Sequence, residues 1–211
     1  MVILVYFLIR MLLNLNPAVL KEKAFVNASM YYSEWVCVKD AKGIALYERW
    51  VKVNDSLNVR ERKGEFEVES CMEDVVRYLN SHETIKEWMK GIKVAQKVGD
   101  PEAHWVYMEI QLPWPMSNRD LIAKYSVARE NKDSYYLTVQ SGKGSPHLDT
   151  ELVRIKDYKA VWKLKRVGHQ KTKITFTTFS SEPPMFPQWV QEPVLKNVFY
   201  ANLRRLKNRL S

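Results

Sequence analysis

The chain has 211 residues, a hydrophobic fraction of 46%, a charged fraction of 27% and a net charge of +9. Seven Trp, eleven Tyr and seven Phe exclude an intrinsically disordered chain, because a sequence so rich in aromatic surface can build a core. Two cysteines, Cys37 and Cys71, imply no disulfide framework and cannot form a zinc site alone; they read as free, partly buried thiols, with a single disulfide between them as the alternative.

The length suits one domain with a sizeable core. The basic excess favours anionic partners. Lys and Arg are spread along the chain, however, and are dense only at Arg204, Arg205, Lys207 and Arg209, which reads as a solvated helix face. Nucleic acid is not expected, because no basic face interleaved with aromatics is evident.

Residues 1–13, MVILVYFLIRMLL, are apolar except for Arg10 and too short to span a bilayer comfortably. The run fits a secretory signal lacking its basic start, a membrane-surface anchor, or an extension packed on the domain. Export, periplasmic in a bacterial cell, is slightly favoured over a cytoplasmic location. Residues 1–33 are taken as this segment and its lead-in, and 34–211 as one domain.

Strand signals begin near Trp35 and continue over 44–53 and 57–68. In the last run Val59, Glu61, Lys63 and Glu65 alternate with charged neighbours, so much of it should face water. The period then changes. Met72, Val75, Val76 and Leu79 form one helix face, with Ser70 as N-cap and Glu73 completing a capping box. A short helix over 83–89 carries Ile85 and Trp88. Strands follow over 92–98, 103–112, 120–129, 134–141, 150–155, 160–166 and 173–180. Finally Leu195, Phe199, Leu203, Leu206 and Leu210 recur at helical spacing, with Pro193 in the first turn.

This order predicts an α+β domain. A curved antiparallel β-sheet wraps around a long C-terminal α-helix, and two short helices follow the third strand. The sheet is too extensive for one helix to fill its concave side, so a cavity between them is the natural place for an apolar ligand.

Two segments carry a resemblance. Leu112-Pro113-Trp114-Pro115-Met116-Ser117-Asn118-Arg119-Asp120 is similar to the P-W-P-x-S-x-R-D junction of the START family, the steroidogenic acute regulatory protein-related lipid transfer domains. Val153-Arg154-Ile155, Tyr158, Ala160, Trp162, Thr172 and Phe176 resemble that family's run into its final helix. The likeness covers roughly residues 34–210. Before the last helix Pro187 and Trp189 fit the family pattern, but Pro184 and Met185 stand where the family has glycines. The resemblance implies a helix-grip (Bet v 1-like) fold, a hydrophobic cavity, binding and transport of a lipid or other hydrophobic molecule, and no cofactor. A monomer making transient membrane contact is the expected state.

Candidate cavity residues are Trp105, Tyr107, Glu109, Arg119, Tyr125 and Trp162. Trp105, Tyr107 and Glu109 share one strand face; either they line the cavity or the aliphatic face of Val106, Met108, Ile110 and Leu112 does. Arg119 either points inward, toward a headgroup or Glu109, or braces the junction. Met185, Phe186 and Trp189 are candidates for a cavity-entrance loop, either touching membrane or packed on the final helix. No catalytic residue or metal ligand is assigned: the histidines are scattered and no nucleophile elbow, phosphate loop or zinc motif occurs. The alternative is a cyclase- or hydrolase-like enzyme on an apolar substrate, using Glu109 or Asp120 in the same cavity.

Overall fold

The computed structural model describes residues 31–211, except residues 115, 143, 144, 149 and 183–185. The N-terminal apolar segment and Met185 therefore lie outside the described residues.

The strands are β1 (Tyr31–Tyr32), β2 (Val36–Ala41), β3 (Ile44–Lys52), β4 (Asn58–Val68), β5 (Ile92–Val98), β6 (Trp105–Ile110), β7 (Arg119–Asn131), β8 (Ser134–Gln140), β9 (Val153–Ile155), β10 (Tyr158–Gly168) and β11 (Lys171–Ser180). The helices are α1 (Met72–Asn80), α2 (Ile85–Trp88) and α3 (Gln188–Leu210), with a 3-10 turn at Pro101–Ala103. One sheet runs in the order β1-β3-β4-β11-β10-β8-β7-β6-β5. Every pairing is antiparallel except the short parallel one of β9 on β7. The β4–β11 pair joins the first strands to the rest of the sheet, with Phe176 opposite Gly64.

Strand alternation sorts the side chains. Leu46, Phe66, Val68, Ile174, Phe176, Trp162, Leu164, Leu137, Val139, Leu121, Ala123, Val106 and Met108 share one apolar cluster with α1 and α3. Gly64 sits in that face because α3 comes close there: a Cβ would lie 2.2 Å from Leu203 Cδ1. Trp162 stacks on Phe176 at 3.7 Å, Phe176 on Phe199 at 5.5 Å, and Trp88 meets Trp162 edge-on at 5.5 Å. This column of rings ties α2, β10, β11 and α3 together.

Several local expectations change. Ser70 does not cap α1: Cys71 is the N-cap residue and makes no side-chain cap hydrogen bond. Ser70 Oγ instead donates to Leu210 O at 2.5 Å, closing the C-terminal end of α3, and Ser70 O accepts from Thr172 Oγ1 at 2.8 Å. An orphan helix carbonyl is the stronger claim on that hydroxyl. α3 begins a turn and a half earlier than Pro193 suggests, with Pro187 at its N-cap and Pro193 inside it. Cys37 is exposed rather than partly buried, because β2 is an outer strand paired with β3 alone, its register shifting between Cys37 and Lys39.

Candidate functional site

Two ends of the space between α3 and the sheet differ. Toward the C-terminal end of α3, Leu203 and Leu206 are fully buried. Toward its N-terminal end a cavity of about 260 Å³ opens. Its apolar walls include Ile110 and Leu112 after β6, Met116 in the junction, Phe179 on β11 and Leu195 on α3. Arg60 and Arg62 on β4, Arg119 on β7, and Tyr158, Gln191 and Glu192 supply its polar groups. A volume just below the usual range for ligand pockets suits a single chain or a small apolar body. A neighbouring cavity of about 480 Å³, reaching Trp50 and Leu57, shares Asn58 and Gln188 with it. Gln188 Nε2 donates to Asn58 O at 3.2 Å along that shared border.

The cavity holds a buried ion cluster that periodicity did not single out. Glu48 and Arg62 face each other across the β3–β4 pair. Arg62 Nε donates to Glu48 Oε1 at 3.0 Å, and its other guanidinium nitrogen pairs with Glu192 from α3. Both Glu48 and Arg62 are under one-tenth exposed. The even-numbered residues of β4 run Arg60, Arg62, Gly64, Phe66 and Val68, so a charged half continues directly from an apolar half on the same inward face. The expectation that 57–68 mostly faces water fails for that face, and the reason is the pairing: Arg62 is neutralised from both sides. The clue available in the sequence was Gly64, which breaks the charged run where a helix must approach.

The strand face left open at β6 resolves to the aliphatic choice. Val106 and Met108 lie in the main core, and Ile110 and Leu112 continue into the cavity wall. Trp105 and Tyr107 belong to a separate cluster with Ile122, covered by Val94, Val98 and Leu148 on the sheet's outer face. Tyr107 OH donates to Glu109 Oε1 at 3.0 Å there; burial first, then this bond, pushes the Tyr107 hydroxyl up to about 12. Trp105, Tyr107 and Glu109 thus stand back to back with the cavity rather than inside it. Glu109 lies opposite Asp120, and Arg119 lies opposite Ile110, so Arg119 and Glu109 point to different faces and do not pair.

Asp120, fully buried, also faces outward. Its carboxylate accepts from Arg154 at 2.7 and 2.8 Å and from Thr150 Oγ1 at 2.6 Å, and Arg154 also reaches Leu148 O at 2.9 Å. Burial alone would raise the pKa of Asp120; the Arg154 and Thr150 hydrogen bonds outweigh it and hold it below the usual value. The Arg-Asp pair of the junction therefore divides its work. Asp120 fastens the 148–155 segment over the outer face, while Arg119 enters the cavity.

Tyr125 and Trp162 face inward but belong to the core beyond the cavity walls. Trp162 is locked in the ring column, and Tyr125 packs against the main cluster. Burial raises the hydroxyl pKa of Tyr125 and of its neighbour Tyr158, which reaches the cavity. Of the entrance residues, Phe186 is half-buried and Trp189 is 80% exposed. Trp114, at the tip of the junction, is 91% exposed and was not singled out in the sequence. Both tryptophans are flanked in the chain by cavity-lining residues, Leu112 and Met116 for one, Gln188 and Gln191 for the other.

No family model matches the chain. Phosphatidylcholine transfer protein of Rattus norvegicus is 23% identical over 175 residues, covering 78% of each chain; that of Mus musculus is 22% identical over the same length. Among solved structures, a STAR-related lipid transfer protein from Xanthomonas axonopodis superposes with a TM-score of 0.72 at 24% identity, covering 84% of this chain and 99% of that one. Human StAR-related lipid transfer protein 5 gives 0.67 at 12% identity over 92% of each. The inward-facing cavity, the R-D junction and these likenesses converge: the chain has the helix-grip fold of the START lipid transfer domains.

Proposed function

We propose that this protein binds a lipid or similar hydrophobic molecule in the cavity between the first turns of α3 and the sheet, and carries it between membranes as a monomer. The observation that carries the reading is the contrast within one interface. The same helix that packs without space at Leu203 leaves about 260 Å³ beside Leu195, walled by Ile110, Leu112, Met116 and Phe179. Dense packing is the default for protein interiors, so a retained apolar space beside a well-packed core supports occupancy by something other than the chain. The relatives' names, phosphatidylcholine transfer protein and StAR-related lipid transfer protein, support the same class of ligand.

Trp114 and Trp189 give the carrier a way to meet a membrane. Indole rings favour the bilayer interface, and both side chains stand in solvent beside cavity-lining residues. Transient insertion of these rings would place the cavity next to the acyl chains.

The catalytic alternative rested on Glu109 or Asp120 acting inside the cavity. Both carboxylates face outward and are engaged, by Tyr107 and by Arg154 and Thr150. Nothing about the cavity favours that reading.

Native mass spectrometry of gently purified protein, followed by solvent extraction, tests the proposal. A defined adduct that extracts as one lipid class is expected. A ligand-free mass together with no uptake of fluorescent lipids from vesicles would overturn it.

A further inference from the structure

The cavity's cations are unequally partnered. Arg62 holds two carboxylates, Glu48 and Glu192, and needs nothing more. Arg119 lines the same cavity, yet its guanidinium has no hydrogen bond or ion pair among the described residues. Its strand neighbours are Ile110 on one side and Val153 on the other, whose side chains cannot accept a hydrogen bond. Arg60 lies over the Trp50 ring at 3.5 Å, and its Nε is buried with no hydrogen-bond partner. The other acid lining the cavity, Glu182, already accepts the Lys156 backbone N–H at 2.9 Å. Glu192 is held by Arg62.

A guanidinium carries several donors in a fixed fork that matches a carboxylate or phosphate. Leaving the buried Arg60 Nε unmet is costly, and among the described residues neither Arg60 nor Arg119 is paired with an acid. An anion brought by the ligand would meet both requirements.

We infer that the cavity selects an amphiphile with an anionic headgroup, a carboxylate or a phosphate, seated on Arg119 with Arg60 as a second donor, its chain running along Ile110, Leu112 and Leu195. This rests on the carrier reading and narrows it to a charge class. Arg62 takes no part in binding the anion. It offsets one of the two negative charges of Glu48 and Glu192 and so weakens their repulsion of the headgroup.

The test compares matched pairs that differ only in charge. Binding to the full chain is measured by tryptophan fluorescence for oleate against oleyl alcohol, and for dioleoyl phosphatidic acid against dioleoylglycerol. Dioleoyl phosphatidylcholine and inorganic phosphate serve as further probes. At least one acid is expected to bind about tenfold or more tightly than its neutral partner, the difference a charge-assisted hydrogen bond supplies. Which acid wins separates carboxylate from phosphate. Arg119→Gln is expected to remove most of that preference, Arg119→Lys to retain part of it, and Arg60→Gln to reduce it less. Neutral or zwitterionic lipids binding as well as the acids would overturn the inference and leave the carrier reading standing. Inorganic phosphate binding as tightly as phosphatidic acid would also overturn it, because the chain would then contribute nothing. Binding of no probe at all would remove the carrier reading and this one together. The comparison of headgroups on the unmodified protein decides the matter even if a variant fails to fold.

Discussion

The two halves of α3 show how one helix on one sheet can serve two purposes. The C-terminal half presents Leu203, Leu206 and Leu210 to Leu46, Phe66 and Val68, and Gly64 lets it come close. The N-terminal half presents Glu192 and Leu195 to Arg62 and to open space. The closely packed end holds the fold; the open end is free to bind. A protein that packed both ends equally would be more stable and would have nowhere to put a ligand.

That contrast can be broken by mutation. Trp162→Ala removes the centre of the ring column and is expected to cost about 3–5 kcal/mol of stability, read from urea unfolding. Leu203→Ala should cost about 2–5 kcal/mol by the same measurement, whereas Leu195→Ala, beside existing space, should cost under about 1 kcal/mol and weaken lipid uptake instead. Equal losses at Leu195 and Leu203 would erase the distinction between the halves.

The outer face of β7 offers a second, smaller test. Asp120 is fastened by Arg154 and Thr150, and its folded pKa lies below the unfolded value. A depressed carboxylate pKa means its stabilisation is present above the unfolded pKa of about 3.9 and is lost as pH falls through the folded pKa. Asp120→Asn is expected to cost about 1–3 kcal/mol at pH 7 by removing the carboxylate that accepts from Arg154. The variant's stability should also fall less between pH 4 and strongly acidic solution than the parent's. An unchanged pH slope would mean Asp120 is not the group that titrates. Replacing Trp114 and Trp189 by Ser should shift stability by no more than about 0.5 kcal/mol each, since both rings are exposed, while lowering co-sedimentation with vesicles.

The fold was legible in the sequence because its periods are clean. The switch from alternation to helical spacing at Met72, and the stripe ending at Leu210, fixed the order of strands and helices. The junction at 112–120 located Arg119 at the start of β7. The site was far less legible. Alternation says that Trp105 and Tyr107 share a face, but not which face is concave; that depends on sheet curvature and on the 148–155 segment covering them. The Glu48–Arg62–Glu192 cluster joins β3, β4 and α3 across more than a hundred residues, so no local pattern announces it. Charged residues on a strand were read as solvated because their partners lay elsewhere in the chain. Trp114 was hidden in the opposite sense: its motif was recognised, but nothing in a motif states that a side chain stands in water.

The most direct test of the central claim is hydrogen exchange with and without a bound lipid. The account predicts added protection at residues 110–119, 58–62 and 188–195, around the cavity, with little change at 203–210, where the core is already closed. Protection confined to the C-terminal half of α3, or to the outer face at Trp105 and Tyr107, would contradict it.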